Sequence, residues 1–295
     1  MPGKRYQLYR GSGATRITPE NWLAVRGALT DACGRFEALV AAADPRAMAT
    51  AEWTVLDAAV HVTAIAWLYT AMVVSDETPL PIPGLREVIL TTTVDNIHGG
   101  LNAQMPRGYT EREPGAVLAK LHSCTDEVLR LTASEDPSRT FSWLGGSRLP
   151  LAGFMAHLTN ELLVHGHDIA RSVGAPWQIP EEYAAFFFEL FLVEIIRNGL
   201  GTIMDCGKPV RRGRIAVEFR SAYTLPVTIV LDTGRISIEE PGRDNDVRVY
   251  FKPATMSLVL FHYTTRSRAA MTGSLRVWGR RPWLLVPFLR EVRLP

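Results

Sequence analysis

The sequence predicts an α+β protein, with a helical part over residues 1–204 and a small sheet-bearing part over 205–295. Three observations lead there. Apolar residues recur at spacings of three and four up to residue 198, as amphipathic helices require. Gly199, Gly201, Gly207, Pro209 and Gly213 then interrupt the pattern. Beyond them come short runs rich in β-branched residues, which favour strands. With 295 residues and 47% hydrophobic content, the chain can bury a sizeable core.

Thr18 supplies a capping hydroxyl and Pro19 a fixed φ in the first turn, so a helix starts there and runs through Trp22, Leu23, Val25, Leu29 and Phe36 to Val40. Thr54 and Asp57 have the spacing of a capping box, which opens a second helix carrying Val55, Leu56, Ala59, Val60, Val62, Ile65 and Leu68. Pro79, Pro81, Pro83 and Gly84 form a stiff connection. Leu85 to Met105 and Ala116 to Ala133 read as two further helices, bearing His98 and His122, for which no partner is evident. Ser134 to Arg148 reads as a loop. Pro150 and Gly174 then bound a helix over Leu151 to Arg171, and Pro180 starts another over Glu181 to Asn198.

In the second part, Ile215 to Phe219, Val227 to Leu231, Ile236 to Glu239 and Val247 to Phe251 read as strands of a small, mainly antiparallel sheet. Thr255 to Tyr263 and Ser267 to Met271 look helical, Leu275 to Trp278 reads as one more strand, and Trp283 to Leu289 as a closing helix.

The 32 basic and 30 acidic residues leave a net charge of +2, too weak a field to indicate nucleic acid as the main partner. The short basic groups at Arg211, Arg212, Arg214 and at Arg280, Arg281 read as solvated turns. Cys33, Cys124 and Cys206 lie far apart with no CxxC pair, so the sequence indicates neither a disulfide framework nor a thiolate zinc knot, consistent with a reducing cytoplasm. The start lacks a signal-peptide core, and the most apolar run, Phe186 to Ile196, is broken by Glu189 and Glu194; no membrane association is expected.

Polar groups able to hold a metal recur along LAGFMAHLTNELLVHGHDIAR, residues 151–171. At about 100° per residue, Glu161, His165 and Asp168 fall within roughly 80° of His157 on one face of the helix. Glu161 and His165, one turn apart, can converge on one ion, but a solvated polar stripe has the same pattern. A catalytic zinc usually takes three protein groups and keeps one open position. His61, inside the second apolar helix, is a candidate third ligand; it is equally a core histidine satisfied by Asp57 or a carbonyl.

Three segments together resemble a known family. WTVLDAAVHV resembles the second-helix motif of the DinB-like proteins, and HLTNELLVHGHDIARSVGAPW resembles the later helix of their mycothiol-dependent maleylpyruvate isomerase branch. YFKPATMSLVLFHYTTRSRAAMTGSLRVWG resembles the sterol-carrier-like domain that often follows. The resemblance implies a DinB-like four-helix bundle with extra helices, joined to a small α/β domain. It also implies a divalent metal, zinc above all, held by His61, Glu161 and His165. His167 stands where relatives often have tryptophan, and Ser75 to Gly115 is long for the family, so the substrate is not carried over. Arg266 is the nearest counterpart of the family's Gly-Arg pair and would clamp a substrate carboxylate; a solvated turn arginine is the alternative.

By this resemblance the cosubstrate is mycothiol, the sugar-linked thiol of actinobacteria, activated as a metal-bound thiolate and delivered to a small electrophilic metabolite. A mycothiol S-transferase is the favoured expectation, with a cis-trans isomerase as alternative. His167 and Asp168 are candidates for proton transfer or support, as is His157. Asp168 also has the spacing to pair with Arg171. A non-catalytic ligand-binding protein is the reading from a different class.

Overall fold

The computed structural model describes residues 15–74, 80, 82–97, 99–205, 212–242 and 244–293. His98, Cys206, Gly207, Pro209, Arg211, Pro79 and Pro81 lie outside them.

Four long helices make the first part: α1 (Pro19–Ala42), α2 (Val55–Val74), α5 (Pro114–Leu131) and α6 (Leu151–Val173), with α3 (Leu85–Thr91) and α4 (Leu101–Gly108) between α2 and α5. Helix α1 packs on α5 and α6, and so does α2; α1 and α2 themselves barely touch, standing diagonally across a four-helix bundle. The predicted starts are present. Thr18 Oγ1 accepts from the Asn21 backbone N–H, while Thr54 and Asp57 exchange hydrogen bonds in a capping box.

Helix α2 is apolar nearly all round, and by length and composition it would suffice to cross a membrane, yet most of it is buried inside the protein. Such a helix belongs in a core. It carries His61 there, 3% exposed among Ala58, Val60, Val62 and Ile65.

Two sequence expectations need correction. Leu85 to Met105 is not one helix: it breaks between α3 and α4, where Asn96 Oδ1 accepts from the Thr93 backbone N–H and the Val94 N–H bonds to Ile203. Asn96 thus offers the backbone an alternative to helix, and Gly99 and Gly100 follow it. Ser134 to Arg148 is not all loop, since β1 (Thr140–Ser142) pairs antiparallel with β2 (Arg148–Pro150) and leads into α6. Its turn holds Gly145 at φ 63°, packed so closely on Ile203 that a Cβ would sit 2.6 Å from the Ile203 nitrogen.

After α6, the helical run from Glu181 to Asn198 is continuous but not uniform. It comprises α7 (Glu181–Phe186), a π-helical stretch Phe187–Val193, and α8 (Glu194–Asn198). The wider winding turns Phe187 and Phe191, stacked at 5.0 Å, toward His157 of α6, while Phe188 points to the sheet. Glu194 accepts a 2.8 Å hydrogen bond from the Arg16 backbone N–H, tying the chain start to this helix.

The sheet has the order β5-β4-β3-β6-β7, from β3 (Arg214–Arg220), β4 (Val227–Asp232), β5 (Arg235–Glu239), β6 (Val247–Phe251) and β7 (Leu275–Trp278). It is antiparallel except for the β3–β6 pair. Helices α9 (Pro253–Leu260) and α10 (Arg266–Met271) lie between β6 and β7, and α11 (Leu285–Glu291) closes the chain. Phe219 and Phe251 of the sheet meet Phe188, and Phe219 also meets Phe288 of α11. One hydrophobic core thus runs from the bundle into the sheet.

Candidate metal centre

Helix periodicity places Glu161 and His165 one turn apart on α6, and the packing of α2 against α6 brings His61 to them. One imidazole nitrogen from each histidine and one Glu161 oxygen lie within 4.8 Å of one another. His61 Nε2 is 3.5 Å and His165 Nε2 3.4 Å from the same oxygen, Oε2. These gaps are long for N–H···O hydrogen bonds, which run about 2.7–3.2 Å. They match instead the edge of a tetrahedron with bonds of about 2.0–2.1 Å, roughly 3.3–3.4 Å. The donor set of two imidazoles and one carboxylate suits a divalent cation with a position left open. The residues therefore fit the group.

Burial works against charge at every member. It lowers the His61 pKa, and it would raise that of Glu161, but hydrogen bonding to His165 and His61 holds the carboxyl well below its ordinary range. For His165, burial is outweighed by Asp168 and Glu161, and its pKa is raised to about 9. A carboxylate this deep among imidazoles is a strong attractor of positive charge.

Around the three lies a supporting layer. Trp53 packs on both imidazoles, with ring centroids 4.7 Å from His61 and 5.6 Å from His165. His157 Nε2 is 3.5 Å from Glu161 Oε1, and its Nδ1 is 3.0 Å from the Tyr69 hydroxyl, which also receives the Trp143 indole N–H at 3.2 Å. Asp168 is buried with Oδ2 3.6 Å from His165 Nδ1, and the Tyr263 hydroxyl donates to that oxygen at 2.6 Å.

Asp168 therefore does not pair with Arg171, whose guanidinium instead lies over the Tyr263 ring. His167 is half-buried, edge-on to Tyr263; two positions from His165 it is about 200° round the helix and faces away from the three-residue group. Arg266 is exposed at the first position of α10. His122, for which the sequence offered no partner, lies 3.3 Å from Glu37 of α1 and 3.2 Å from Asp126. Trp53, Tyr69, Trp143 and Tyr263 went unnoticed in the sequence. Trp53 stands inside the motif that carries His61, which is the one local signal any of them has.

Fold and site together define a class: a helical bundle of the DinB-like type with a His/Glu/His group able to bind a metal, followed by a small mixed sheet. Residues 29–170 match the family described as the mycothiol maleylpyruvate isomerase N-terminal domain, and the chain belongs to that family through this segment. Two solved structures are similar in outline, a mycothiol-dependent maleylpyruvate isomerase and a histidine-to-alanine mutant of it. Each is 13% identical, covering 80% of this chain and 87% of its own, with a TM-score of 0.46. No curated protein sequence matches the chain.

Proposed function

We propose that this chain is a mycothiol-dependent metalloenzyme that activates the thiol for attack on a small electrophilic metabolite. The observation that carries the reading is the convergence of His61, Glu161 and His165 on one point at tetrahedral spacing, within a segment of the matching family. A divalent cation there, zinc by donor set, would stabilise the thiolate form of an entering thiol and so supply a nucleophile at neutral pH.

The chain's own residues do the positioning. His61 and Glu161 are held by the interior of α2 and α6, and Trp53 closes one side of the imidazoles against water. The Asp168 carboxylate sits behind His165 and serves as its acceptor, the arrangement that fixes a ligating imidazole's orientation. Arg266 is assigned to hold a substrate carboxylate. Tyr263 rests on Asp168, and three residues span at most about 11 Å, which keeps the Arg266 backbone close to α6. We assign His167 to the pocket wall beside Tyr263.

The reaction we favour is S-transfer: the sulfur forms a bond to the electrophilic carbon, the leaving group departs with the electron pair or the adjacent carbon takes a proton, and the adduct is released. Cis-trans isomerisation is the second reading, favoured by the description of the family that residues 29–170 match. In it the same addition is followed by bond rotation and loss of the thiol. We place the activity in the cytoplasm, and we assign residues 205–295 as a sterol-carrier-like α/β domain on the strength of its sheet with helices inserted before the last strand.

Incubating metal-loaded protein with mycothiol and a panel of small electrophiles, read by intact mass, tests this. Adducts or exchange products are expected for S-transfer and consumption at unchanged mass for isomerisation. No thiol-dependent change across maleylpyruvate-like and other electrophiles would overturn the assignment.

A further inference from the structure

We infer that Tyr263, from the sheet-bearing part of the chain, is a positioning residue for the metal centre of the helical part, acting through Asp168 on His165. The inference deepens the metal-centre reading and rests on it.

The geometry is a relay through one atom. Asp168 Oδ2 accepts from the Tyr263 hydroxyl at 2.6 Å and faces His165 Nδ1 at 3.6 Å, while His165 Nε2 is turned to Glu161. If Nε2 is to offer its lone pair to a cation, the imidazole proton belongs on Nδ1, which has that same Asp168 oxygen as its acceptor. Asp168 is 1% exposed and its other oxygen has no hydrogen-bond partner among the described residues. Its orientation is therefore set by Tyr263.

The backbone is arranged to deliver this tyrosine. His262 adopts a left-handed conformation, φ 64°, at the end of α9, a position that glycine would fill without steric cost. The turn sends the Tyr263 and Thr264 backbone N–H groups back to the Leu258 carbonyl, at 2.8 and 3.2 Å, and aims the Tyr263 side chain at α6. Its ring lies edge-on to His167 and under Arg171, so three neighbouring positions of α6 grip one side chain. A second strut holds α9 on α6 elsewhere: Ser257 Oγ donates to Asn160 Oδ1 at 3.0 Å.

Tyr263→Phe keeps the ring and removes the hydroxyl. Zn(II) and Co(II) affinities of the full chain, measured by competition with a chromophoric chelator, are expected to fall about tenfold, the lower end for a residue that supports a ligand. The visible Co(II) absorption should shift with them. Asp168→Asn should weaken binding further, and adding Tyr263→Phe to it should cost little more, because both act through one oxygen. Ser257→Ala, which loosens only the other strut, should leave both readouts in place.

Unchanged affinity and spectrum in Tyr263→Phe, with normal binding by the wild type, would overturn this inference alone. So would an equal loss in Ser257→Ala, which would mean general seating of the helix. A wild type that binds neither metal would remove the metal-centre reading and this inference with it.

Discussion

The Tyr69 hydroxyl and His157 Nδ1 lie 3.0 Å apart, and the direction of that hydrogen bond is decided by a third group. The Trp143 indole can only donate, and it donates to the Tyr69 oxygen, so the one Tyr69 proton goes to His157. Neutral His157 then carries its own proton on Nε2, which faces Glu161 Oε1 at 3.5 Å. Tyr69→Phe strands the Trp143 and His157 nitrogens in the core. An unsatisfied buried polar group costs about 1–3 kcal/mol, so the unfolding free energy should drop by about 2 kcal/mol or more in urea titrations. A change under 0.5 kcal/mol would contradict the assigned direction.

His165→Ala is expected to remove bound metal and thiol-dependent turnover together while leaving the helical circular dichroism signal intact. Glu161→Gln keeps an oxygen but loses the charge, so it should weaken metal less than His165→Ala. Metal content by atomic emission after dialysis checks both. Stoichiometric metal and full turnover in His165→Ala would refute the site.

Metal binding should depend on pH with a known sign. With the His165 pKa raised to about 9, a proton occupies the imidazole at neutral pH and must leave before a cation is bound. Apparent Zn(II) affinity should therefore rise about tenfold per pH unit from 7 toward 9 and then level off. Affinity that is flat over this range would count against the His165 assignment.

The same shift predicts the reverse for chelator-treated protein. A histidine whose folded pKa lies above its ordinary 6.5 stabilises the fold fully below that value and loses its contribution as pH climbs to about 9. Thermal midpoints of the stripped wild type should fall over pH 6.5 to 9 relative to stripped His165→Ala. Parallel curves would sink the prediction.

Gly166 stands where a Cβ would meet Trp177, with the nearest ring carbon at 2.1 Å. The ring cannot easily yield, because its N–H bonds to the Leu163 carbonyl at 2.9 Å and Arg35 covers its face. Alanine gains up to about 1 kcal/mol in helix propensity, but overpacking of this kind costs about 1–3 kcal/mol. Gly166→Ala should be net destabilising by urea denaturation, and a more stable variant would disprove the clash.

The helical part was largely legible because its signals are local. Thr18, Thr54 with Asp57, Pro150 and Gly174 mark helix ends by chemistry confined to a single turn, and Glu161 and His165 share a face by spacing alone. His61 was different: nothing in α2 distinguishes a ligand from a core histidine, and only the family resemblance joined it to α6. What stayed hidden depends on distant partners. Asp168 has the spacing for Arg171, yet Tyr263, 95 positions away, takes its oxygen. The break before α4 is stabilised partly by Ile203, which a window of neighbours does not contain.

The π-helical stretch Phe187–Val193 makes chain length there a matter of count rather than composition. Dropping one residue would restore the tighter winding and swing everything downstream through about 100°. Glu194 would rotate off Arg16, and Phe188 would slip out of phase with either the sheet or the aromatic pair beside it. A single-codon deletion in this stretch is thus a graver lesion than any one substitution within it.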